Sequence, residues 1–181
     1  MSYAKTNPQI VLRPQDVVVL LRLSLATDSV PTYAVLAAEL KLTASEIHAG
    51  VERAVTAQLA RKNSAGRPAV LLEPLRLFVQ HGVRHCFPAT RGEMTRGVPT
   101  GYAAPPLKAL IVQPNEPPPV WPHKPGTVRG ATFYPLYPTV PEAALANPAL
   151  YELLALVDAV RGGSPRERAL AISELDKRWS A

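Results

Sequence analysis

Ser45, Ala49, Glu52 and Thr56 recur at helical spacing within Thr43–Leu59, with His48 and Arg53 on the flanks of the stripe they form. Short polar and cationic groups on one helix face suit contact with the edges of bases in a DNA groove. Ser45 donates or accepts, and His48 reaches a purine edge or a phosphate. Arg53 offers a fork for guanine or for the backbone, while Glu52 accepts from a cytosine amine or orients Arg53. Thr43 and Ala49 complete the set on the helix's leading half. A few residues on, Arg61, Lys62 and Arg67 surround Ser64-Ala-Gly66, a basic connector of the kind that grips phosphates. For any one of these positions, a merely solvated helix face is the competing reading.

Other chemistry is thinner. His81, His85 and Cys86 cluster in sequence, but Gly82 lies between the histidines, and no second Cys or nearby carboxylate completes a four-ligand zinc site. A redox role for Cys86 needs a lowered pKa, which Arg84 and the two His would have to supply; a buried inert thiol is the alternative. The chain has no phosphate-binding Gly loop, no Gly-x-Ser-x-Gly elbow and no acidic pair with a shared cleft. It therefore reads as neither an enzyme nor a cofactor or metal carrier. Arg91 and Arg96, each followed by Gly, read as turns that present arginines to a carboxylate, a phosphate or a partner.

The elements that must hold the polar stripe are two short helices across Thr32–Leu59. Leu36, Ala37 and Leu40 form an apolar stripe on the first; Ile47, Val51, Ala54, Val55 and Leu59 form one on the second. Thr43-Ala-Ser-Glu46 is a capping box that fixes the start of the second helix. Ala37 is the small residue needed where the helices cross. Gly50 in the helix interior costs about 1 kcal/mol against Ala, with no firm account from the sequence; close helix approach is one reading. Pro14–Ala26 makes a preceding helix from Val17, Leu20, Leu21 and Leu25, with Pro14 and Asp16 in its first turn. Residues 1–12 are expected to be a loose arm, and Thr27–Pro31 a connecting loop.

In this order, Ala37, Leu40, Thr43 and Ile47 resemble the helix-turn-helix of bacterial winged-helix regulators, the MarR-like group among them, over about residues 14–70. Such turns usually hold Gly where this chain has Lys41, because the residue there tends to be left-handed. The resemblance implies that the first helix backs the motif and that the helix from Thr43 enters the major groove. It also implies that Ala60–Pro68 stands in the place of the wing. The strands flanking that segment are poor, and Pro68 could equally start a helix through Val70, Leu71 and Leu75, bent at Pro74.

The totals fit this picture. The 181 residues carry a net charge of +6, with 47% hydrophobic content and 20 prolines. The proline share is about twice the usual. The positive excess lies in residues 1–82 (nine basic, six acidic) and 83–139 (six and two), whereas 140–181 carries five and six. Moderate basicity suits a polyanionic partner or simply solubility. One cysteine excludes an internal disulfide, and no leader or membrane span is evident. The protein is expected to be soluble and cytoplasmic.

Leu75–Gly82 reads as helical and ends at Gly82. Residues 83–139 read as a Pro- and aromatic-rich irregular segment folded across the body. Within it Leu107–Val112 is a short helix or strand, and Val120-Trp121 and Thr127–Tyr134 are extended pieces. Residues 140–181 read as helical: Pro141–Ala146, then a helix capped by Asn147 and stopped at Gly162-Gly163, then one capped by Ser164. Leu150, Leu153, Leu154, Leu156, Val157 and Val160 cover more than one face, so that helix must be buried, within one subunit or against another chain. In winged-helix regulators such helices form the dimer interface, which the resemblance extends to this chain.

The fold expected is mainly α: an N-terminal winged helix-turn-helix unit (1–82), the irregular segment (83–139) and a helical C-terminal region (140–181). The function expected is sequence-specific regulation of transcription by a dimeric repressor on double-stranded DNA. The alternative is a protein-interaction module or antitoxin-like adaptor that wraps a partner protein, with the helix-turn-helix as scaffold. A small-molecule effector bound around residues 87–139 is compatible with the first reading.

Overall fold

The computed structural model describes residues 11–26 and 29–180. Residues 1–10 of the expected arm, and Thr27 and Asp28 of the expected loop, lie outside that range. Helix α1 spans Pro14–Ser24, with proline in its first turn and the Arg13 N–H donating to Asp16 Oδ2 at 2.8 Å. Val17, Val18, Val19, Leu20, Leu21 and Leu23 are all buried, more than one amphipathic stripe needs. The helix is covered on several sides, by α2 (Tyr33–Leu40), α3 (Ala44–Thr56) and the later α8 (Pro148–Gly162).

Thr32 caps α2 by accepting from the Val35 N–H at 3.3 Å. The turn to α3 runs through Lys41 at φ 56°, ψ 42°, so the left-handed residue is there, held by lysine instead of glycine. The capping box at Thr43 forms in full, and Ile47, Val51 and Ala54 turn inward. Gln58, also left-handed, then leads into a hairpin of β1 (Ala60–Lys62) and β2 (Pro68–Val70). Pro68 therefore opens a strand rather than a helix. It stands opposite Lys62 at the hairpin's tip, where a missing N–H costs little. Asn63 closes the tip by accepting from the N–H groups of Ala65 and Arg67.

The next helix does not stop at Gly82. Helix α4 (Leu72–Leu77) passes through a π-helical turn, Phe78–Gly82, into α5 (Val83–Cys86). The Phe78 ring lies over Gly82, where a Cβ would come within 2.9 Å of it. The glycine marks a packing contact, not a terminus.

Residues 87–139 are less irregular than expected. Arg91–Pro99 forms β3, Pro119–Pro122 β4 and Val128–Phe133 β5, and the three close on themselves. β3 pairs antiparallel with both partners, while β4 and β5 run parallel. At Arg91-Gly92 and Arg96-Gly97 the sequence points to turns, but the chain is extended there and Gly97 serves close backbone approach. A Cβ on Gly97 would overlap the Trp121 carbonyl, and one on Gly130 the Pro118 carbonyl. Leu107–Leu110 is a short helix, α6.

The chain ends with α7 (Val140–Ala146), α8 and α9 (Pro165–Trp179). Asn147 and Ser164 cap the last two as expected. Every residue of α8 from Leu153 to Arg161 is buried within one chain. Its all-round apolar character is thus met by α1, α5, α7, α9 and the 3-10 turn Gly101–Ala103, with no second subunit needed. At its centre Asp158 accepts from Trp121 Nε1 (2.6 Å), Thr100 Oγ1 (2.9 Å) and Arg161 Nη1 (2.6 Å), tying the small sheet to the helical body. One contiguous core runs from α1 to α9. No helix among the described residues is long and apolar enough to cross a membrane.

Candidate nucleic-acid interface

Helix α3 is mounted by its inner face and leaves its outer face open. Ile47, Val51 and Ala54 anchor it, and Gly50 lets α1 come close: a Cβ there would sit 2.9 Å from Asp16 Oδ1. On the far side Ser45, His48 and Thr56 are exposed, and Ala49 and Glu52 are half-buried. The ring of Tyr33 from α2 meets His48 edge-on at 5.7 Å, which orients the imidazole.

Arg53 is a correction. Its guanidinium makes a bidentate pair with Asp16, Nε to Oδ2 and Nη2 to Oδ1, both at 2.7 Å. Asp16 is completely buried, and the hydrogen bonds its carboxylate accepts from the guanidinium raise the Arg53 pKa above the ordinary arginine value. The fork expected to read guanine is spent inside the protein. Releasing it would strand a buried carboxylate. Arg53 therefore positions α3 on α1 and is not a base reader.

Thr43 is likewise committed. Its hydroxyl accepts from the Glu46 N–H (3.2 Å) and bonds Glu46 Oε2 (2.8 Å), while its own N–H donates to the same oxygen (2.7 Å). These bonds, first from the Thr43 backbone and then from its hydroxyl, hold the Glu46 carboxyl below its ordinary pKa. Tyr137, arriving from the chain's second half, adds a bond to Glu46 Oε1 at 3.2 Å. Thr43 fixes where α3 begins.

Glu52 does not orient Arg53. It accepts a hydrogen bond from Lys62 of β1, and His48 Nε2 lies 3.6 Å from the same carboxylate oxygen. The Lys62 bond lowers the pKa of Glu52, and the reciprocal bond raises that of Lys62. Helix and hairpin are thereby pinned side by side by an exposed pair. Arg61 and Arg67 stand exposed on the hairpin, so its three cations share one small projection beside α3. The structure thus gathers Ser45, His48, Ala49, Glu52, Arg61, Lys62 and Arg67 on one exposed side, and turns Arg53 inward.

His81, His85 and Cys86 lie on the exposed side of the α4–α5 helix. Among the described residues, no group of three or more His, Cys, Asp or Glu side chains is placed to hold a metal ion. Comparison with protein-family models, with curated proteins and with solved structures gave no match.

Proposed function

We propose that the chain is a transcriptional regulator that reads a short stretch of double-stranded DNA with the outer face of α3 and grips phosphates with the β1–β2 hairpin, as a winged helix-turn-helix. One observation carries this: an exposed helix face, rigidly seated from behind, stands beside a projection bearing Arg61, Lys62 and Arg67. Ser45 and His48, on the leading half of α3, are the side chains free to meet base edges. The likeness of Ala37, Leu40, Thr43 and Ile47 to MarR-like motifs supports the same reading. A two-fold dimer on a palindromic operator would have to use surfaces other than α8, which is covered within its own chain. Gel shift with the DNA upstream of the gene, at two salt concentrations, tests the proposal. Preferential binding that weakens as salt rises is expected; no shift at low salt, or no preference over unrelated DNA, overturns it.

A second reading, an adaptor or antitoxin-like module for a protein partner, draws on the loss of Arg53 from the reading face. That face keeps only the His48 imidazole as a base-directed ring, with no guanidinium, and Leu110 and Val112 stand exposed elsewhere on the surface. Co-purification of a defined partner, with no DNA shift, would select it.

A further inference from the structure

The closed three-stranded sheet carries a second cationic feature, independent of α3. Arg96 of β3 and Arg129 of β5 are direct cross-strand partners, flanked by the pairs Thr95–Gly130 and Gly97–Val128. Like charges in this relation repel and weaken a sheet. Both side chains are exposed, and with Met94, Thr95 and Thr127 they line an open recess of about 220 Å³. The connection between β4 and β5 brings His123 and Lys124 to the same end, where the His123 N–H donates to the Arg96 carbonyl at 3.2 Å. Glu93 is the sole acidic residue of β3; β4, β5 and their connection have none.

The backbone beneath the two arginines is held tightly. A Cβ on Gly97, Gly126 or Gly130 would overlap neighbouring main chain, so the strands that carry the two charges lie in close backbone contact. The recess also offers more donors than one carboxylate can accept. Two guanidinium forks and the Thr127 hydroxyl exceed the roughly four lone-pair sites of a carboxylate, whereas a terminal phosphate adds a third oxygen and a second charge; the Thr95 hydroxyl donates to the Arg96 carbonyl at 3.4 Å.

We propose that the recess between Arg96 and Arg129 binds a terminal phosphate group, that of a phosphomonoester or of inorganic phosphate, with the two guanidiniums as its principal ligands and Thr127 as a hydroxyl partner. Site and ligand do not depend on how α3 functions. The anion relieves the cross-strand repulsion, so the protein gains stability when it binds.

Calorimetric titration of the full chain in phosphate-free buffer tests this, with inorganic phosphate, a nucleoside 5′-monophosphate and an oligonucleotide lacking terminal phosphates as separate titrants. Saturable one-to-one binding of the first two is expected, with each displacing the other. Replacing both arginines by glutamine (Arg96→Gln with Arg129→Gln) should weaken it by roughly tenfold or more. In phosphate-free buffer that variant should melt no lower than the wild type. Arg129→Lys, which keeps the charge and loses the fork, should give an intermediate loss. Absence of saturable binding at millimolar phosphate would overturn the proposal. So would unchanged binding in the double variant, or dependence of the oligonucleotide alone on the arginine pair.

Discussion

Asp16 of α1 and Arg53 of α3 exchange two 2.7 Å hydrogen bonds across 37 positions of sequence, in a contact that only a glycine at position 50 leaves room for. The pair sets the angle at which α3 leaves the body. Removing one partner of a buried pair costs about 3–5 kcal/mol, and Arg53→Ala should show a loss of that order in urea unfolding. If α3 reads DNA as proposed, the folded variant should keep its sequence preference. Altered preference with unchanged stability would return Arg53 to the reading face.

Gly50→Ala makes a sharper test of the same contact. In an open helix the change gains about 1 kcal/mol. Here the added methyl meets the Asp16 carboxylate at 2.9 Å, and overpacking of this kind costs about 1–3 kcal/mol. A lowered melting temperature is expected, where propensity alone predicts a rise.

Lys62 and Glu52 face each other on the exposed side, so their substitutions should act on binding rather than on folding. Lys62→Ala should weaken all DNA sequences alike and reduce the salt slope by about one. Glu52→Gln frees the ammonium from its partner and removes a negative charge near the phosphates; it should tighten binding to any sequence and steepen the salt slope. His48→Ala or Ser45→Ala should instead change which sequence is preferred, by about 1–3 kcal/mol at the affected base pair. A uniform loss from all four would count against the division between base reading and phosphate grip.

The cap at Thr43 gives the α3 start a pH signature. Glu46 has a lowered pKa in the folded chain, so it stabilises the fold above the unfolded carboxyl's pKa, and that contribution is lost as pH falls through the lower folded value. Thr43→Ala should cost about 1 kcal/mol at neutral pH. The variant's deficit against the wild type should shrink in acid, read from melting curves across the acidic range. A deficit independent of pH would mean that Glu46 does not take part in the cap.

The Asp158 node should be the most sensitive point of the second half. Burial drives the Asp158 pKa upward, against the opposing pull of Arg161, Trp121 and Thr100. Asp158→Ala leaves the Arg161 guanidinium and the Trp121 N–H without their acceptor and should cost about 3–5 kcal/mol in chemical unfolding. The nearby Tyr151 hydroxyl, pushed up to about 12 by burial, donates to the Pro99 carbonyl at 2.6 Å.

Much of the helical frame is legible in the sequence because its signals are local. Thr43, Asn147 and Ser164 each announce a helix start, and Leu36, Leu40, Ile47 and Val51 repeat at helical spacing. What escapes is set by partners distant in the chain. Nothing near Arg53 reveals that Asp16 will claim it, although Gly50 hints that something approaches. Gly97 suggests a turn, because the strand that presses against it lies more than ten residues away in sequence. The candidate face was readable as a set of residue types, but which of them stay free was not. That depends on Asp16 and on the Lys62–Glu52 pair, neither of which any local pattern encodes.

Helix α8 packs against α1, and Thr139 just before α7 donates its hydroxyl to the Leu40 carbonyl at the end of α2. Part of the apolar surface of α1 is thus covered by an element more than a hundred positions further along the chain. A truncation before residue 148 would keep α3 and the basic hairpin in the sequence but lack the support that gives them a fixed orientation.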